Sequence, residues 1–348
     1  MILIAFGTRP EIIKLFPVIE ALRARKLAFR TLFTGQQIDL YEDVKALVSV
    51  PDFTFAAAFA GDAKHNTLGG SFIKICKASE ALFRNHPFDI VVVQGDTTTA
   101  WALAQMAFYN GIRVAHVEAG LRTFDLMNPY PEELNRTLIS RLAHVHFAPT
   151  RQAADNLARE GALRVHMVGN TIVDAVKIFK DRMAWTSGPS DKVVVTLHRR
   201  ENHACMDRLF AEIQSVAVGN PDLEIILPMH PNPNVRRHRG GLTAPNIHVI
   251  EPIGYPEMLR LIGESCFLIT DSGGIQEEAA CFNKKVLIVR EKTERPETIE
   301  IGLGRLVGKQ IASSVAWARI PPPPLMESPY GDGHAADKIA DLLQEYGR

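Results

Sequence analysis

Residues 267–279 read Phe-Leu-Ile-Thr-Asp-Ser-Gly-Gly-Ile-Gln-Glu-Glu-Ala, and this stretch indicates a strand that passes through a tight turn into a helix. Phe267–Thr270 is an apolar run without alternation, which is typical of a parallel strand covered by helices on both faces. The Ser272-Gly273-Gly274 turn exposes the first N–H groups of the helix, and such a positive helix end favours a pyrophosphate. An N-capped helix is the simpler interpretation, but two adjacent glycines cost conformational entropy that a closely approaching ligand would explain.

The same rhythm of strand, turn and helix extends along the chain and restarts once. In the first half, the runs that predict strands are Ile2–Phe6, Thr31–Phe33, Ile90–Val93, Val114–Val117 and Val145–Ala148. The helical patterns between them cover Pro10–Arg25, Thr97–Asn110, Pro131–Ala143 and Thr150–Glu160. After the polar residues 186–191, strands are predicted over Val193–Leu197, Glu224–Leu227, Ile247–Ile250, Phe267–Thr270 and Val286–Val289, with helices over Asp207–Val218 and Ile275–Phe282. Two such arrays in tandem predict an α/β protein of two doubly wound domains.

The overall composition excludes several classes of protein. The 348 residues include 39 Lys and Arg against 39 Asp and Glu, without the basic excess of a nucleic-acid binder. The four cysteines form no CxxC pair and show neither a disulfide framework nor a zinc spacing. The apolar N-terminus stops at Gly7, and no apolar run reaches the ~18 residues of a membrane span. These features favour a soluble, cytoplasmic protein that binds no nucleic acid, membrane or metal.

Three carboxylates lie where strands end or helices begin. Asp96 and Glu118 each follow a predicted strand, and Glu132 opens a predicted helix. Each has a simpler explanation, namely an N-cap for Asp96, a salt bridge to Arg122 for Glu118, and a helix-dipole partner for Glu132. Open parallel sheets bind ligands beyond the carboxyl ends of their strands. Three carboxylates at that edge therefore indicate a functional site.

Basic side chains occupy corresponding positions. Arg9 lies in the turn after the first strand, Lys14 follows one helical turn later, and His198 follows the first strand of the second half. A guanidinium, an ammonium and an imidazole at strand ends suit a diphosphate, although a solvated Arg9 in an ordinary turn is the simpler interpretation. The Gly7–Glu11 turn is neither GxGxxG nor GxxxxGK[ST], so neither a dinucleotide fold nor a P-loop is indicated.

The motifs form an ordered set: GTRPE, GDTTT, HVEAGLRT, PEELNR, GNT-x-x-DA, HRREN, DSGGIQEEA, TERPE and PYGDG. Together they resemble the non-hydrolysing bacterial UDP-N-acetylglucosamine 2-epimerases over essentially the whole chain. The resemblance implies a GT-B-like α/β fold, with two doubly wound Rossmann-like domains facing across a cleft. The N-terminal domain would cover residues 1–168 and the UDP-binding domain residues 169–328. Residues 329–348 would then carry a C-terminal helix, Ala335–Tyr346, that can pack back on the N-terminal domain.

The resemblance also implies an activity. The enzyme would invert C2 of a UDP-linked 2-acetamido sugar, converting UDP-GlcNAc to UDP-ManNAc or a close derivative. It would eliminate UDP and add it back through a 2-acetamidoglucal intermediate, without a cofactor. By motif match the catalytic residues would be Asp96, Glu118, Glu132 and His198. The same match assigns the UDP-sugar to Arg9, Arg136, His198, Ser272, Gly273, Gly274, Glu278 and Arg295. Lys14 joins this set by its position one helical turn into the first helix. It further implies a homodimer that serves cell-surface polysaccharide biosynthesis.

The sequence departs from the family at several places. Family members usually have Gln-His and a basic residue where this chain has Gln36-Gln37-Ile38-Asp39, and residues 67–74 lack the arginine expected of an activator site. Met258 stands where an aromatic is more usual, and the loop His203–Met206 is atypical. The departures at residues 36–39 and 67–74 argue against activation by a second UDP-GlcNAc, and they leave the exact sugar open.

Three alternatives remain open at this stage. A hydrolysing 2-epimerase would use the same groups but release UDP and free ManNAc. A GT-B glycosyltransferase would share the Ser-Gly-Gly turn, but it would not need GDTTT, HVEAGLR and PEELNR together. A non-catalytic sensor of nucleotide sugars would bind its ligand without deuterium from the solvent entering C2.

Overall fold

The chain divides into two compact units. The first consists of Met1–Lys177 together with Tyr330–Arg348, and the second of Ile178–Pro329. The computed structural model describes residues 1–36, 44–59, 67–182, 190–325 and 328–346. The chain therefore leaves the first unit once and returns to it at its C-terminal end.

A parallel sheet forms the centre of the first unit. Its strands are β1 (Ile2–Phe6), β2 (Phe29–Phe33), β3 (Phe53–Thr54), β4 (Ile90–Gln94), β5 (Arg113–Val117), β6 (Val145–Ala148) and β7 (Val165–Met167). Their spatial order is β3-β2-β1-β4-β5-β6-β7, and each neighbouring pair is parallel. The direction of winding reverses between β1 and β4, which is the point where doubly wound sheets bind ligands.

The second unit repeats this arrangement. Its strands are β8 (Lys192–Thr196), β9 (Glu224–Pro228), β10 (Ile247–Ile250), β11 (Phe267–Thr270), β12 (Lys285–Ile288) and β13 (Gly304–Leu306). Their order is β10-β9-β8-β11-β12-β13, again parallel throughout. Here the winding reverses between β8 and β11, so the loops after these two strands flank the corresponding position.

α-Helices connect the strands. The first unit contains α1 (Arg9–Ala24), α2 (Lys45–Val48), α3 (Leu68–Asn85), α4 (Thr98–Tyr109), α5 (Glu132–Leu142), α6 (Arg151–Arg159) and, from the end of the chain, α14 (Ala335–Tyr346). The division between the units falls inside α7 (Thr171–Arg182), after Lys177 and not at residue 168. The second unit contains α8 (Met206–Gly219), α9 (Pro233–Arg236), α10 (Tyr255–Glu264), α11 (Gly273–Cys281), α12 (Pro296–Glu300) and α13 (Val315–Arg319). Three helices begin with a threonine whose side chain accepts a backbone N–H of the first turn, namely Thr67, Thr97 and Thr150.

The apolar runs form strands because both faces of each sheet are covered. Every residue of β1 and β4 is buried, and Leu3 and Ile4 have no exposed surface. Burying one such side chain stabilises the fold by about 1.5–3 kcal/mol. Polar residues are therefore found beyond the strand ends, where the predicted site residues lie.

The C-terminal helix is held in the first unit by charge and by an N-cap. The carboxylate of Asp174 accepts hydrogen bonds from the backbone N–H groups of Ala335 (3.3 Å) and Ala336 (2.9 Å). Further along, Arg25, which directly follows α1, pairs with Asp337 at 2.9 Å. These contacts dock α14 on α1.

Two motifs of the sequence, GNT-x-x-DA and PYGDG, meet at the same place. Gly169 has a φ of 98°, and a Cβ there would lie 3.3 Å from the carbonyl oxygen of Tyr330. The next residue, Asn170, donates its backbone N–H to that carbonyl at 2.8 Å. GNT-x-x-DA and PYGDG thus form a structural contact within the first unit.

The prediction of an α/β fold is confirmed, and each predicted strand is present to within about two residues at its ends. The structure adds the short strands β3, β7 and β13, which lie toward the sheet edges, and the long helix α3. Residues 186–189 of the predicted polar stretch lie outside the described residues. In the described part of the chain, no helix is both long and apolar enough to cross a membrane.

Candidate active site

In the first unit, polar residues collect beyond the carboxyl ends of β1, β4 and β5. These three strands are neighbours in the sheet, and all are parallel. The turns that follow them therefore meet at one edge, which brings Arg9, Asp96 and Glu118 to the same side of the sheet.

Glu118 is held in a strained backbone conformation by buried partners. Its φ is 62°, a left-handed value that glutamate rarely adopts. One carboxylate oxygen accepts hydrogen bonds from Lys14 Nζ and from Gln94 Nε2, each at 2.5 Å. Arg122, the alternative partner considered from the sequence, instead binds Glu160 through Nε (2.7 Å) and Nη2 (2.9 Å). The predicted residues Lys14 and Glu118 thus form one buried ion pair, and strain of this kind is typical of functional sites.

Asp96 is paired with the predicted residue Arg136. Arg136 Nη2 donates to Asp96 Oδ2 at 2.5 Å, and Asn135 Nδ2 donates to the Asp96 backbone carbonyl at 2.8 Å. The arginine side chain is 4% exposed, whereas that of Asp96 is 25% exposed. The cation is therefore anchored in the protein, and the carboxylate lies at the surface of the site.

The two neighbouring acids at the start of α5 differ in their surroundings. Glu133 is buried and accepts the backbone N–H groups of Thr123 and Phe124, each at 3.0 Å. It also lies 3.4 Å from Arg136 Nη1, so it fixes both the preceding loop and the arginine. The predicted catalytic residue Glu132 is only half-buried.

Glu11 is a polar residue of this edge that the sequence analysis did not single out. Its carboxylate has no exposed surface and accepts hydrogen bonds from Gly7 N (3.0 Å), Thr8 Oγ1 (2.7 Å) and Thr97 Oγ1 (2.6 Å). Burial raises the pKa of Glu11 to about 7. Glu11 thus ties the turn that carries Arg9 to the turn that carries Asp96, and its carboxylate occupies the Gly7 N–H.

Two other polar side chains of this edge, those of Gln36 and His116, contact neighbouring segments of the first unit. Gln36 Oε1 accepts from Thr99 N at 2.9 Å and from Thr99 Oγ1 at 2.8 Å, which docks this residue on the start of α4. Residues 37–39 of the same departure from the family lie outside the described residues. Burial lowers the pKa of His116 to about 3, and its Nε2 lies 2.7 Å from the Gly95 carbonyl oxygen. His116 is therefore neutral at physiological pH.

In the second unit, the loops after β8 and β11 are joined by Asp271. This residue is fully buried, and its carboxylate accepts the backbone N–H groups of His198 (3.0 Å) and Arg199 (2.9 Å) and the Asn202 side-chain amide (3.0 Å). His198 Nδ1 lies 3.3 Å from Asp271 Oδ1. The predicted residues His198 and Ser272 are thereby brought to one edge, because Ser272 follows Asp271 directly.

The Ser-Gly-Gly turn leaves its serine hydroxyl out of the helix cap. Ser272 is the N-cap residue of α11, yet its side chain accepts no capping hydrogen bond, while its N–H donates to Thr270 Oγ1 at 2.9 Å. A Cβ at Gly273 would lie 2.4 Å from Arg295 Nη1. A Cβ at Gly274 would have no described heavy atom within 4 Å apart from its neighbours and helix backbone. The turn therefore presents Ser272 and Gly274 outward and Gly273 inward.

Arg295 lies beneath this turn in a buried network of charges. Its Nε donates to Glu277 Oε1 at 2.6 Å, and its Nη1 contacts Glu294. Glu294 also binds Arg290 (2.9 Å), which in turn binds Glu201 (3.0 Å) of the HRREN motif. The described partners of Arg295 thus lie within the second unit.

The remaining predicted residues and departures have simple positions. Glu278 is buried in the second turn of α11, the helix that begins after Ser272. Arg9 is half-buried at the start of α1. Met258 packs in α10 against a hydrophobic cluster that includes Ile262. The atypical loop forms a 3₁₀ turn over Arg200–Cys205 that leads into α8.

Comparisons with known proteins agree with these features. The chain matches the family described as "UDP-N-acetylglucosamine 2-epimerase" over residues 20–344. A UDP-N-acetylglucosamine 2-epimerase from Campylobacter jejuni is 38% identical, over 98% of this chain and 97% of its own length. The crystal structure of UDP-GlcNAc 2-epimerase from Neisseria meningitidis bound to UDP-GlcNAc has a TM-score of 0.89 at 33% identity and covers 99% of both chains. The S. aureus MnaA–UDP co-structure has a TM-score of 0.90 at 33% identity, covering 99% of this chain and 96% of that one.

The similarity extends over nearly the full length of the chain in sequence and in structure. It confirms the GT-B-like fold class and the prediction that the protein is an enzyme. The chain belongs to the UDP-N-acetylglucosamine 2-epimerase family, a family of isomerases.

Proposed function

We propose that the enzyme inverts C2 of a UDP-linked 2-acetamido sugar, interconverting UDP-GlcNAc and UDP-ManNAc or a close derivative. The observation that carries this proposal is the pair of carboxylates at adjacent strand ends, Asp96 and Glu118, each bonded to a buried cation. A relative of similar length and fold is bound to UDP-GlcNAc, which supports a UDP-sugar as substrate.

The reaction begins with an elimination. The proton at C2 beside the acetamido group is not acidic, so its direct removal would be prohibitive without another bond breaking. A carboxylate accepts the C2 proton while the bond between C1 and the phosphate oxygen breaks. A double bond then joins C1 and C2, and UDP carries away the bonding electron pair. The products of this step are 2-acetamidoglucal and UDP, with the proton retained on the enzyme.

The second step reverses the first on the other face of C2. A phosphate oxygen of UDP attacks C1, and a protonated acid delivers a proton to the opposite face of C2. Two faces require more than one titratable group, which Asp96, Glu118 and Glu132 provide. The pairs with Arg136 and Lys14 fix two of these carboxylates before the substrate binds, and such preorganisation lowers the cost of charge movement.

The second unit supplies groups suited to the departing diphosphate. The Ser272 hydroxyl, the open position at Gly274 and the start of α11 present donors to an anion. His198 adds an imidazole beside the same turn. These groups are suited to the diphosphate of the substrate, whereas the carboxylates of the first unit are suited to its sugar.

Proton exchange at C2 provides the test. Purified enzyme is incubated with UDP-GlcNAc in D2O, and C2 and the products are followed by NMR. We expect deuterium at C2 together with the appearance of UDP-ManNAc. Binding without deuterium would indicate a sensor and contradict the proposal. Free ManNAc with UDP as the principal products would identify a hydrolysing enzyme instead.

Two conservative variants test whether Asp96 and Glu118 transfer the proton at C2. Asp96→Asn and Glu118→Gln remove the proton acceptor but keep the size of each side chain. Because general acid–base groups typically contribute about 10²–10⁴-fold, each variant should lose turnover by that order. Binding of UDP, measured by calorimetry, should stay within about threefold of wild type, a change of under 1 kcal/mol. Normal turnover in both variants would remove these acids from the mechanism.

A further inference from the structure

The hydrogen bonds of Asp271 to the His198 segment are not needed to hold strands β8 and β11 together. Strands β8 and β11 are already joined by their parallel ladder and by the Thr196–Thr270 hydroxyl pair at 2.6 Å. Asp271 adds a carboxylate with no exposed surface just beyond this pair. Burying a carboxylate costs free energy unless hydrogen-bond donors surround it. A neutral side chain could link the two strands without this cost.

The donors around Asp271 all come from the segment that carries His198. They are the N–H groups of His198 and Arg199, the side-chain amide of Asn202 and, at 3.3 Å, the Nδ1 of the His198 ring. Asn202 Nδ2 also donates to the Val289 carbonyl at 3.1 Å. The backbone and the ring of His198 are therefore fixed by one carboxylate.

The His198 ring is also restrained on its face. It stacks on the His230 ring at a centroid distance of 5.3 Å and an interplanar angle of 16°. His203 Nε2 lies 3.1 Å from the His198 carbonyl oxygen. The charged and titratable groups around His198 thus include Asp271, His230, His203 and the adjacent Arg199.

We propose that Asp271 is a positioning residue that holds His198 as a cationic donor for the departing diphosphate, an inference that rests on the proposed function. A carboxylate beside Nδ1 selects the ring form in which Nδ1 carries a proton, and it favours the doubly protonated ring. Nε2 is then the nitrogen through which the ring donates to an anion. Because Asp271 directly precedes Ser272, it also fixes the position of the His198 ring with respect to the Ser-Gly-Gly turn.

A double-mutant cycle separates positioning from a purely structural role. Asp271→Asn should lower kcat by about 10–100-fold, the range typical for carboxylates that orient metal-ligating histidines. In a His198→Gln background the same change should cost less than about twofold, because residues that act through one another are not additive. Equal losses in both backgrounds would overturn the proposal. Asp222→Asn, an exposed carboxylate of the same unit that pairs with Arg319, is the matched control and should leave kcat unchanged.

Titration of His198 by NMR tests the inference without any turnover. In Asp271→Asn the midpoint of the His198 titration should move to lower pH by about one unit, since a neighbouring negative charge is lost. An unchanged midpoint overturns the proposal. Should this variant not fold, wild-type protein still decides, because the inference requires a protonated Nδ1 on His198 at neutral pH. If wild-type enzyme leaves UDP-GlcNAc unchanged, the proposed function fails, whereas the titration still reports on Asp271 and His198.

Discussion

The two glycines that follow Ser272 have different surroundings. A methyl group at Gly273 would meet the guanidinium of Arg295 at 2.4 Å, whereas the same group at Gly274 would point into open space within the described chain. Because Arg295 is held by Glu277 and Glu294, it cannot move aside easily. The first glycine is thus needed by the protein, and the second is available to a ligand.

This difference gives a paired prediction. Gly273→Ala should destabilise the fold by about 1–3 kcal/mol, the usual cost of overpacking, and lower the melting temperature. Gly274→Ala should melt at or above the wild-type temperature, because alanine favours a helix. It should nevertheless weaken UDP binding by about tenfold or more, or roughly 1.4 kcal/mol. Calorimetry and thermal denaturation check both; normal UDP affinity in Gly274→Ala would contradict a diphosphate at this position.

Glu11 makes stability depend on pH in an unusual direction. Burial raises the pKa of Glu11 to about 7, above the value of 4.5 in an unfolded chain. Between these values the unfolded chain has released its proton while the folded protein retains it, so stability falls as the pH rises through this window. The full contribution is on the order of 3 kcal/mol.

Glu11→Gln should therefore flatten the decline in stability between about pH 5 and pH 8. Chemical denaturation of both proteins across this range measures the free energy of unfolding. Glu20→Gln, at an exposed position of the same helix, serves as the control and should follow the wild-type curve. An identical pH dependence in Glu11→Gln and wild type would show that Glu11 ionises normally in the folded protein.

At the scale of elements, the start of α14 depends on a residue far away in sequence. Asp174 of α7 caps this helix through the N–H groups of Ala335 and Ala336. Burial raises the pKa of Asp174, while these two hydrogen bonds oppose the rise. Asp174→Ala should lower the free energy of unfolding by about 0.5–2 kcal/mol, as for other lost N-caps. Asp181→Ala, in the exposed part of the same helix, is expected to have little effect in the same denaturation assay.

The central strands could be predicted from the sequence because they are buried on both faces. Val-rich runs such as Ile90–Val93 are typical of parallel strands that helices cover on both faces. The two-residue strand β3 carries too little pattern to be recognised, and α3 begins with Leu-Gly-Gly, which lowers the local preference for helix. Periodicity therefore identifies the core elements and misses those that tertiary packing creates.

The candidate site shows the same division. The carboxylates Asp96 and Glu118 were foreseeable, because strand ends in parallel sheets form one edge. Of their cationic partners, Lys14 was named from its position in the first helix and Arg136 from the resemblance. The pairing itself depends on the strand order, since Lys14 and Glu118 are 104 residues apart. Glu11 was missed because a glutamate in a first helical turn has the ordinary explanation of a dipole partner. Only the structure, in which Glu11 is buried and bonded to Thr97, shows that it belongs to this edge of the sheet.

At the scale of the whole molecule, the two units should respond differently to UDP. The groups suited to a diphosphate lie after β8 and β11 of the second unit, while the carboxylates lie after β4 and β5 of the first. Hydrogen exchange with UDP alone should therefore slow amide exchange in residues 196–202 and 270–278. Protection confined to the first unit would contradict this division of roles, and the edge of the second sheet around Ile247–Ile250 serves as an internal control.

The return of the chain to its first unit has a consequence for biosynthesis. The ribosome completes β1–β7 early, but the helix that packs on α1 is translated only after the whole second unit. The second unit, Ile178–Pro329, is continuous and can be finished before that helix leaves the exit tunnel. During synthesis the first unit thus remains incomplete until α14 has been made, and a nascent chain halted before Tyr330 would expose the α1 surface to chaperones.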